Sequence, residues 1–316
     1  MKKLVVAAGL SLALGGQVAQ AADFVFASYL FDDKFSTILR NGAQAYAESK
    51  GHTMQQVDAQ MDQGRQIDQI NNAIANGVDA IIVQSVDSSA TQPITEAAHA
   101  AGVPVVYVNR KPEPIQQLKD TQAYVASDEI ESGTLETFEM CNQLRAMGKS
   151  DGARGYLLMG DLKSQAAIQR TIDAEQVMAL DMCNFMTLIA PKVTGNWQRT
   201  QAQDIMTNWL STGEQFDFVI ANNDEMAIGA IQAMKAAGVD MSKVVVGGVD
   251  ATDDAIAAMK GGDLDVTVFQ NAAAQGAGAV ETALKLIAGE KVPREVYVPF
   301  ELVTPANLAK YSDKNK

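Results

Sequence analysis

Apolar positions along the chain follow two periods in turn. Short strand-like runs alternate with stretches in which apolar side chains return at helical spacing. In the first half the runs are Phe24–Tyr29, Thr53–Asp58, Ala80–Val83, Val105–Asn109 and Ala123–Ala126. Between the first two, Phe35, Ile38, Leu39, Ala43, Tyr46 and Ala47 share one helical face, which Gly51 ends. Ile67, Ile70 and Ile74 mark a second helix, and a third is expected from about Ser89 to Ala101. The same order restarts at Gly155–Met159 and continues through Phe185–Ala190, Phe216–Ala221, Val244–Val249 and Asp265–Phe269. Runs rich in Val and Ile suit strands covered on both faces, as in parallel sheets built from βαβ units.

The two halves echo each other. Ala80–Val83 leads through Gln84, Ser85, Val86 and Asp87 into a helix ending Ala100-Ala101-Gly102-Val103. Phe218–Ala221 leads through Asn222, Asn223 and Asp224 into a helix ending Ala236-Ala237-Gly238-Val239. The pattern predicts an α/β protein of two similar Rossmann-like lobes with parallel sheets. No Gly/Ser-rich or Pro-rich linker divides them. The chain is therefore expected to cross between lobes near Ser127, Gln270 and Phe300, giving one lobe of residues 23–126 plus 271–298 and another of 127–270 plus 299–316. Three crossings make a hinge rather than a tether.

Ahead of the first strand, Lys2 and Lys3 precede an apolar run from Leu4 to Gly15, then small residues to Ala22. This is the form of a signal peptide, 1–22, cleaved after Ala21 or Ala22. The run is too short for a stable membrane anchor, which needs about 20 residues. It implies a protein released into a periplasm. Lys and Arg number 25 against 38 Asp and Glu, a net charge of −13. Without Lys2 and Lys3 the balance is 23 against 38, or −15. Such a surplus of acid argues against nucleic acid as a partner. It fits a soluble carrier of a neutral or cationic ligand. Cys141 and Cys183 in an oxidising compartment are expected to form a disulfide, with two separate buried thiols as the alternative. His52 and His99 fall at helix–strand turns and read as solvated rather than ligating.

Ligands of open parallel sheets gather beyond the carboxyl ends of the strands. After the first run come Asp32, Asp33 and Phe35, after the third Gln84 and Ser85, and after the fourth Asn109 and Arg110. In the second half Arg170, Asn196, Trp197, Asn222, Asn223, Asp250 and Gln270 occupy comparable places. Amides, carboxylates, arginines and aromatics suit a polyhydroxylated ring. Each hydroxyl donates and accepts, so it takes a carboxylate or amide oxygen on one side and an N–H on the other. Aromatic faces cover the C–H faces of the ring. Asp87 and Asp224 read as helix N-caps and Trp209 as core, whereas Trp197 lies in a polar stretch and reads as a site residue.

The chain resembles the type I periplasmic sugar-binding proteins of ABC importers, in the ribose/galactose-binding group. The resemblance covers nearly all of the chain after the leader. Its most specific pieces are Val108-Asn109-Arg110, Ala126-Ser127-Asp128, the run from Ala221 to Ala230, and Val246-Gly247-Gly248-Val249-Asp250. Within the group it is most similar to inositol and rhizopine binders, through Leu30–Phe35, Gly195–Gln201, Val249–Thr252 and Asp265–Gln270. The resemblance implies capture of a cyclitol or monosaccharide, above all myo-inositol or a related inosamine. It further implies delivery to an inner-membrane ABC permease by a monomer without a cofactor or structural metal. The ribose binder's contacts fall on Asp33, Phe35, Gln84, Asn109 and Arg110 in one lobe. In the other they fall on Arg170, Trp197, Asn223, Asp250 and Gln270.

Departures re-cut the pocket. A pair of phenylalanines becomes Phe35-Ser36, an asparagine becomes Gln84, one phenylalanine becomes Trp197 and another Val249. Binding of an aldose such as ribose or galactose, or service as a chemotaxis co-receptor, are the alternatives. A transcription regulator of the same architecture would carry an N-terminal helix-turn-helix and a basic face. A glycosidase would set two carboxylates, such as Asp33 and Asp250, across the cleft, but no nucleophile–base spacing accompanies them.

Overall fold

The computed structural model describes residues 21–315, so the leader lies outside the described residues except for Ala21 and Ala22. Strand and helix alternate through β1 (Asp23–Ser28), α1 (Lys34–Ser49), β2 (Thr53–Asp58), α2 (Gln63–Ala75), β3 (Ala80–Val83), α3 (Gln92–Ala101), β4 (Val105–Val108) and β5 (Gln122–Ala126). The chain then runs through α4 (Glu129–Ala146), β6 (Ala153–Met159), α5 (Gln165–Met178), β7 (Met186–Leu188), β8 (Val193–Thr194), α6 (Arg199–Leu210), β9 (Phe218–Ala221), α7 (Asp224–Ala236) and β10 (Val245–Val246). It closes with α8 (Asp253–Lys260), β11 (Thr267–Phe269), α9 (Ala272–Ile287), β12 (Glu295–Tyr297) and β13 (Glu301–Val303).

The first sheet is parallel throughout, in the order β12-β5-β4-β3-β1-β2. Both of its faces are covered, which is why its strands read as unbroken apolar runs. Phe24, Phe26, Ile82, Val106 and Val108 pack on one side with residues of α1 and α9. Val25, Ala27, Ile81, Val83 and Tyr107 pack on the other with residues of α2 and α3. The second sheet, β10-β9-β6-β7 with β8 also on β6, is parallel too. Tyr156 and Leu158 look toward α6 and α7, where Trp209 stacks on Tyr156 at 4.4 Å, a core position as expected. Among the described residues no helix is long and apolar enough to cross a membrane.

Several expectations need correction. The run Phe185–Ala190 is a strand only over Met186–Leu188, and Val244–Val249 only over Val245–Val246. β11 pairs antiparallel with β13, so the second half is not purely parallel. The helix expected from Ser89 begins at Gln92, after a separate 3-10 turn at Ser88–Ala90 that Asp87 caps. Asp224 is not an N-cap. Asn223 caps α7 through its side chain, and Asp224 points inward to Thr252 and Thr267.

Three segments join the two sheets: β5 to α4, β11 to α9, and β12 to β13. Gln275 ties two of them by donating to the Ser127 hydroxyl at 2.9 Å. α4 and α5 lie so close that a Cβ on Gly133 would meet the Arg170 carbonyl. At their far end Cys141 and Cys183 form a disulfide.

Candidate functional site

Where β1, β3 and β4 end, and where β6, β9 and β11 end, the chain lines a partly open cavity with about 360 Å³ of space between atoms, some of it continuous with solvent. Asp33, Phe35, Gln84, Asn109 and Arg110 line it from the first sheet, and Arg170, Trp197, Asn223, Asp250 and Gln270 from the second. The structure brings all ten expected residues to one cavity.

The first-sheet wall is built by strand ends. Asp33 uses one carboxylate oxygen to cap α1 at the Ser36 amide, 2.7 Å away. Gln84, almost fully buried, accepts from Ser28 and donates to Asn109 Oδ1 at 3.1 Å. Asn109 sits at φ 64°, a left-handed conformation that asparagine tolerates better than most residues. Arg110 donates to the carbonyls of Ser85 and Val86, and its guanidinium lies 3.5 Å over the Tyr29 ring. Burial and the neighbouring Asp33 carboxylate push the Tyr29 phenol well above its usual range, so it stays a neutral donor.

The opposite wall centres on Arg170. It donates to both Glu129 oxygens, to the Asn222 carbonyl at 2.6 Å and to Gln270 Oε1 at 3.3 Å. A guanidinium carries five N–H groups, so one donor has no acceptor among the described residues. Trp197 rests flat against Gly160, where a methyl group would land inside the indole ring. Its φ of 67° is a costly conformation for a bulky side chain, of the kind that clusters at functional sites.

Two of the buried polar atoms without a partner among the described residues, Gln270 Nε2 and Trp197 Nε1, belong to this lining. Asp250 is 4% exposed and its carboxylate takes part in none of the side-chain hydrogen bonds among the described residues. Burial raises that carboxyl well above the ordinary range. Arg170 opposes the rise, while Asp224, Asp33 and Glu129 add to it. Buried polar groups normally have partners, so this set is shaped for something polar.

The two sides also touch directly. Ser88 donates its backbone N–H to the Lys163 carbonyl at 2.9 Å, and its hydroxyl accepts from Gln165 at 3.3 Å. Arg110 and Asp161 form an ion pair at 3.7 Å across the same gap.

Some residues fell outside the expected set. Tyr29, Ser164 and Ala166 also line the cavity. Tyr29 reads as the end of an apolar strand, and only Arg110 stacking on it gives it a role. Glu129 had a faint signal as an acid in a helix first turn. Conversely Asp32 is exposed, Asn196 is turned toward Gln201, and Asn222 supports Gly160 and Thr171 from behind.

Two facing α/β layers with a polar cavity at their strand ends define a two-lobed binding architecture. The chain belongs to the periplasmic binding protein family, whose domain model matches residues 24–291. It is similar to a Rhizobium meliloti protein named "Putative rhizopine-binding protein", 53% identical over 317 residues and covering 100% of both chains. The ribose import binding protein of Bacillus subtilis is 30% identical over 86% of this chain and 84% of its own. The solved structure of an ABC transporter solute binding protein from Bacillus halodurans, with bound myo-inositol, matches with a TM-score of 0.85 at 34% identity. That match covers 95% of this chain and 100% of the other.

Proposed function

We propose that this protein captures a cyclitol or monosaccharide between two hinged lobes and delivers it unchanged to an inner-membrane ABC permease. The leading ligand is myo-inositol or a related inosamine. The lobes are residues 23–126 with 271–298 and residues 127–270 with 299–316, and the exported monomer works in the periplasm after loss of 1–22.

The observation that carries this reading is the polar lining of one cavity: Gln270 Nε2 and Trp197 Nε1, unpartnered among the described residues, beside the buried Asp250 carboxylate and Arg170. Ring hydroxyls would satisfy them, and Phe35 and Trp197 would cover the apolar ring faces. Charge-assisted bonds of about 1.5–3 kcal/mol each give such a site its affinity. An isomer lacking one hydroxyl in the right place leaves a buried partner unmet, which is the basis of discrimination. The similarity to a myo-inositol-bound structure supports the choice of ligand class.

Titration calorimetry and thermal shift with myo-inositol, an amino-inositol, ribose, galactose and glucose test it. A cyclitol is expected to bind best, stabilising the fold by about 2.7 kcal/mol at a hundredfold excess over Kd. A response to ribose or galactose alone would reassign the ligand to an aldose. Indifference to every polyol would overturn the reading.

A further inference from the structure

We propose that Asn315 is a positioning residue for the cavity, holding Asp250 and Gln270 in place without lining the cavity itself. The inference rests on the polyol reading above and names a determinant of that same site, far along the chain from the residues it holds.

Asn315 is completely buried. Its Nδ2 donates to the Asp250 carbonyl at 2.6 Å and to the Gln270 carbonyl at 2.7 Å. A carboxamide nitrogen has two protons and a carbonyl can only accept, so chemistry fixes which way the amide points. Its Oδ1 has no partner among the described residues, where the amide acts through its donors. A backbone bridge to Thr252 keeps Asn315 alongside the site. Further back Tyr311 packs on Phe269 at 5.2 Å and donates to Glu301 at 2.9 Å.

The two residues it grips need holding. Asp250 has φ 125° and Ala251 φ 52°, consecutive conformations that L side chains rarely adopt. Such backbone persists only where the surroundings over-determine it. The bond from the Gln270 amide to the Asp250 carbonyl is long, at 3.4 Å. Asn315 bridges both carbonyls and so ties the end of β11 to the turn after β10. The groups at stake are the buried Asp250 carboxylate and Gln270, whose Oε1 meets Arg170 and whose Nε2 has no partner among the described residues. Hydrogen bonds weaken steeply with angle and distance, so a small backbone shift degrades several ligand contacts together.

The test uses the full chain with Asn315→Ala, Asn315→Ser and Tyr311→Phe. Kd for myo-inositol is measured by calorimetry at a temperature where circular dichroism shows each variant folded. Asn315→Ala is expected to weaken binding roughly tenfold or more, and Asn315→Ser, which keeps one donor, to fall between it and the parent. Tyr311→Phe loosens the same segment by removing its bond to Glu301. It should lower the ligand-free melting temperature and leave Kd within about twofold. The carbonyl carbon resonances of Asp250 and Gln270 in ligand-free protein should move in both Asn315 variants and stay put in Tyr311→Phe. Should Asn315→Ala not fold, Asn315→Ser and the resonances carry the comparison. Parental affinity in the Asn315 variants, or an equal loss in Tyr311→Phe, would overturn the inference. If the parent binds no polyol, the ligand reading fails, and the resonances alone then decide whether Asn315 positions these residues.

Discussion

Arg170 and Glu129 meet through two hydrogen bonds, 2.7 and 3.1 Å long, with both side chains almost wholly removed from water. The pair lets a buried arginine line the cavity while Glu129 cancels its charge. Breaking such a pair leaves an uncompensated buried ion, whereas replacing both partners by apolar groups does not. Glu129→Gln is therefore expected to cost about 3–5 kcal/mol of stability, and Arg170→Met with Glu129→Leu less than that. Denaturant melts of the single and double variants check the order, and a double variant less stable than the single one would refute it.

Buried carboxyls make the fold favour acid. Burial raises Glu136 to about 8, with Asp224 adding to the rise while the Ala221 amide and Arg170 oppose it. Burial likewise raises Asp224 to about 7, and Asp173 and Asp265 each to about 6. Each folded value lies above the unfolded one, near about 4. The folded state therefore holds more protons between those limits, and stability falls as pH rises from about 4 to about 8. Glu136→Gln removes the largest of these penalties. It should be more stable than the parent at about pH 8.5, by roughly 2–4 kcal/mol, and melt correspondingly higher, with the gap closing toward about pH 5. Equal melting temperatures across that range would contradict an ionisable, buried Glu136.

Gly160 carries the Trp197 ring on its bare α-carbon. Gly160→Ala would push the indole into the cavity. Overpacking of this kind costs about 1–3 kcal/mol. The larger effect is expected on ligand affinity, which should fall at least about tenfold, a change of about 1.4 kcal/mol. Calorimetry reads the affinity, and indole fluorescence reports the displaced ring. Unchanged binding would mean that Trp197 does not shape the site.

The disulfide between Cys141 and Cys183 closes a separation of 42 residues, and neither cysteine lines the cavity. Loop entropy assigns it about 3–4 kcal/mol. Replacing both cysteines by serine should lower stability by up to that amount while Kd stays within about twofold. Loss of affinity in the folded double variant would show that the α4–α5 pair transmits strain to Arg170.

Much of this architecture is legible in the chain because strands buried on both faces leave unbroken apolar runs, as at Ala80–Val83 and Phe218–Ala221. The cavity set is legible for a related reason: residues just past such runs must lie at one edge of a sheet. What escapes are relationships between distant segments. Asn223 and Asp224 are both good caps by type, and only Thr252 and Thr267, arriving from elsewhere, draw Asp224 inward. Tyr29 looks like one more apolar strand residue until Arg110 covers it. Nothing local marks Asn315, because its partners are carbonyls 65 and 45 residues away.

The bond from Ser88 to Lys163 joins main-chain atoms alone, and no cargo atom takes part. In a carrier this seam gives the shut form some stability of its own, so less reorganisation is charged against each capture. On the proposed role, opening the lobes for release would also break the bond between Ser88 and Lys163.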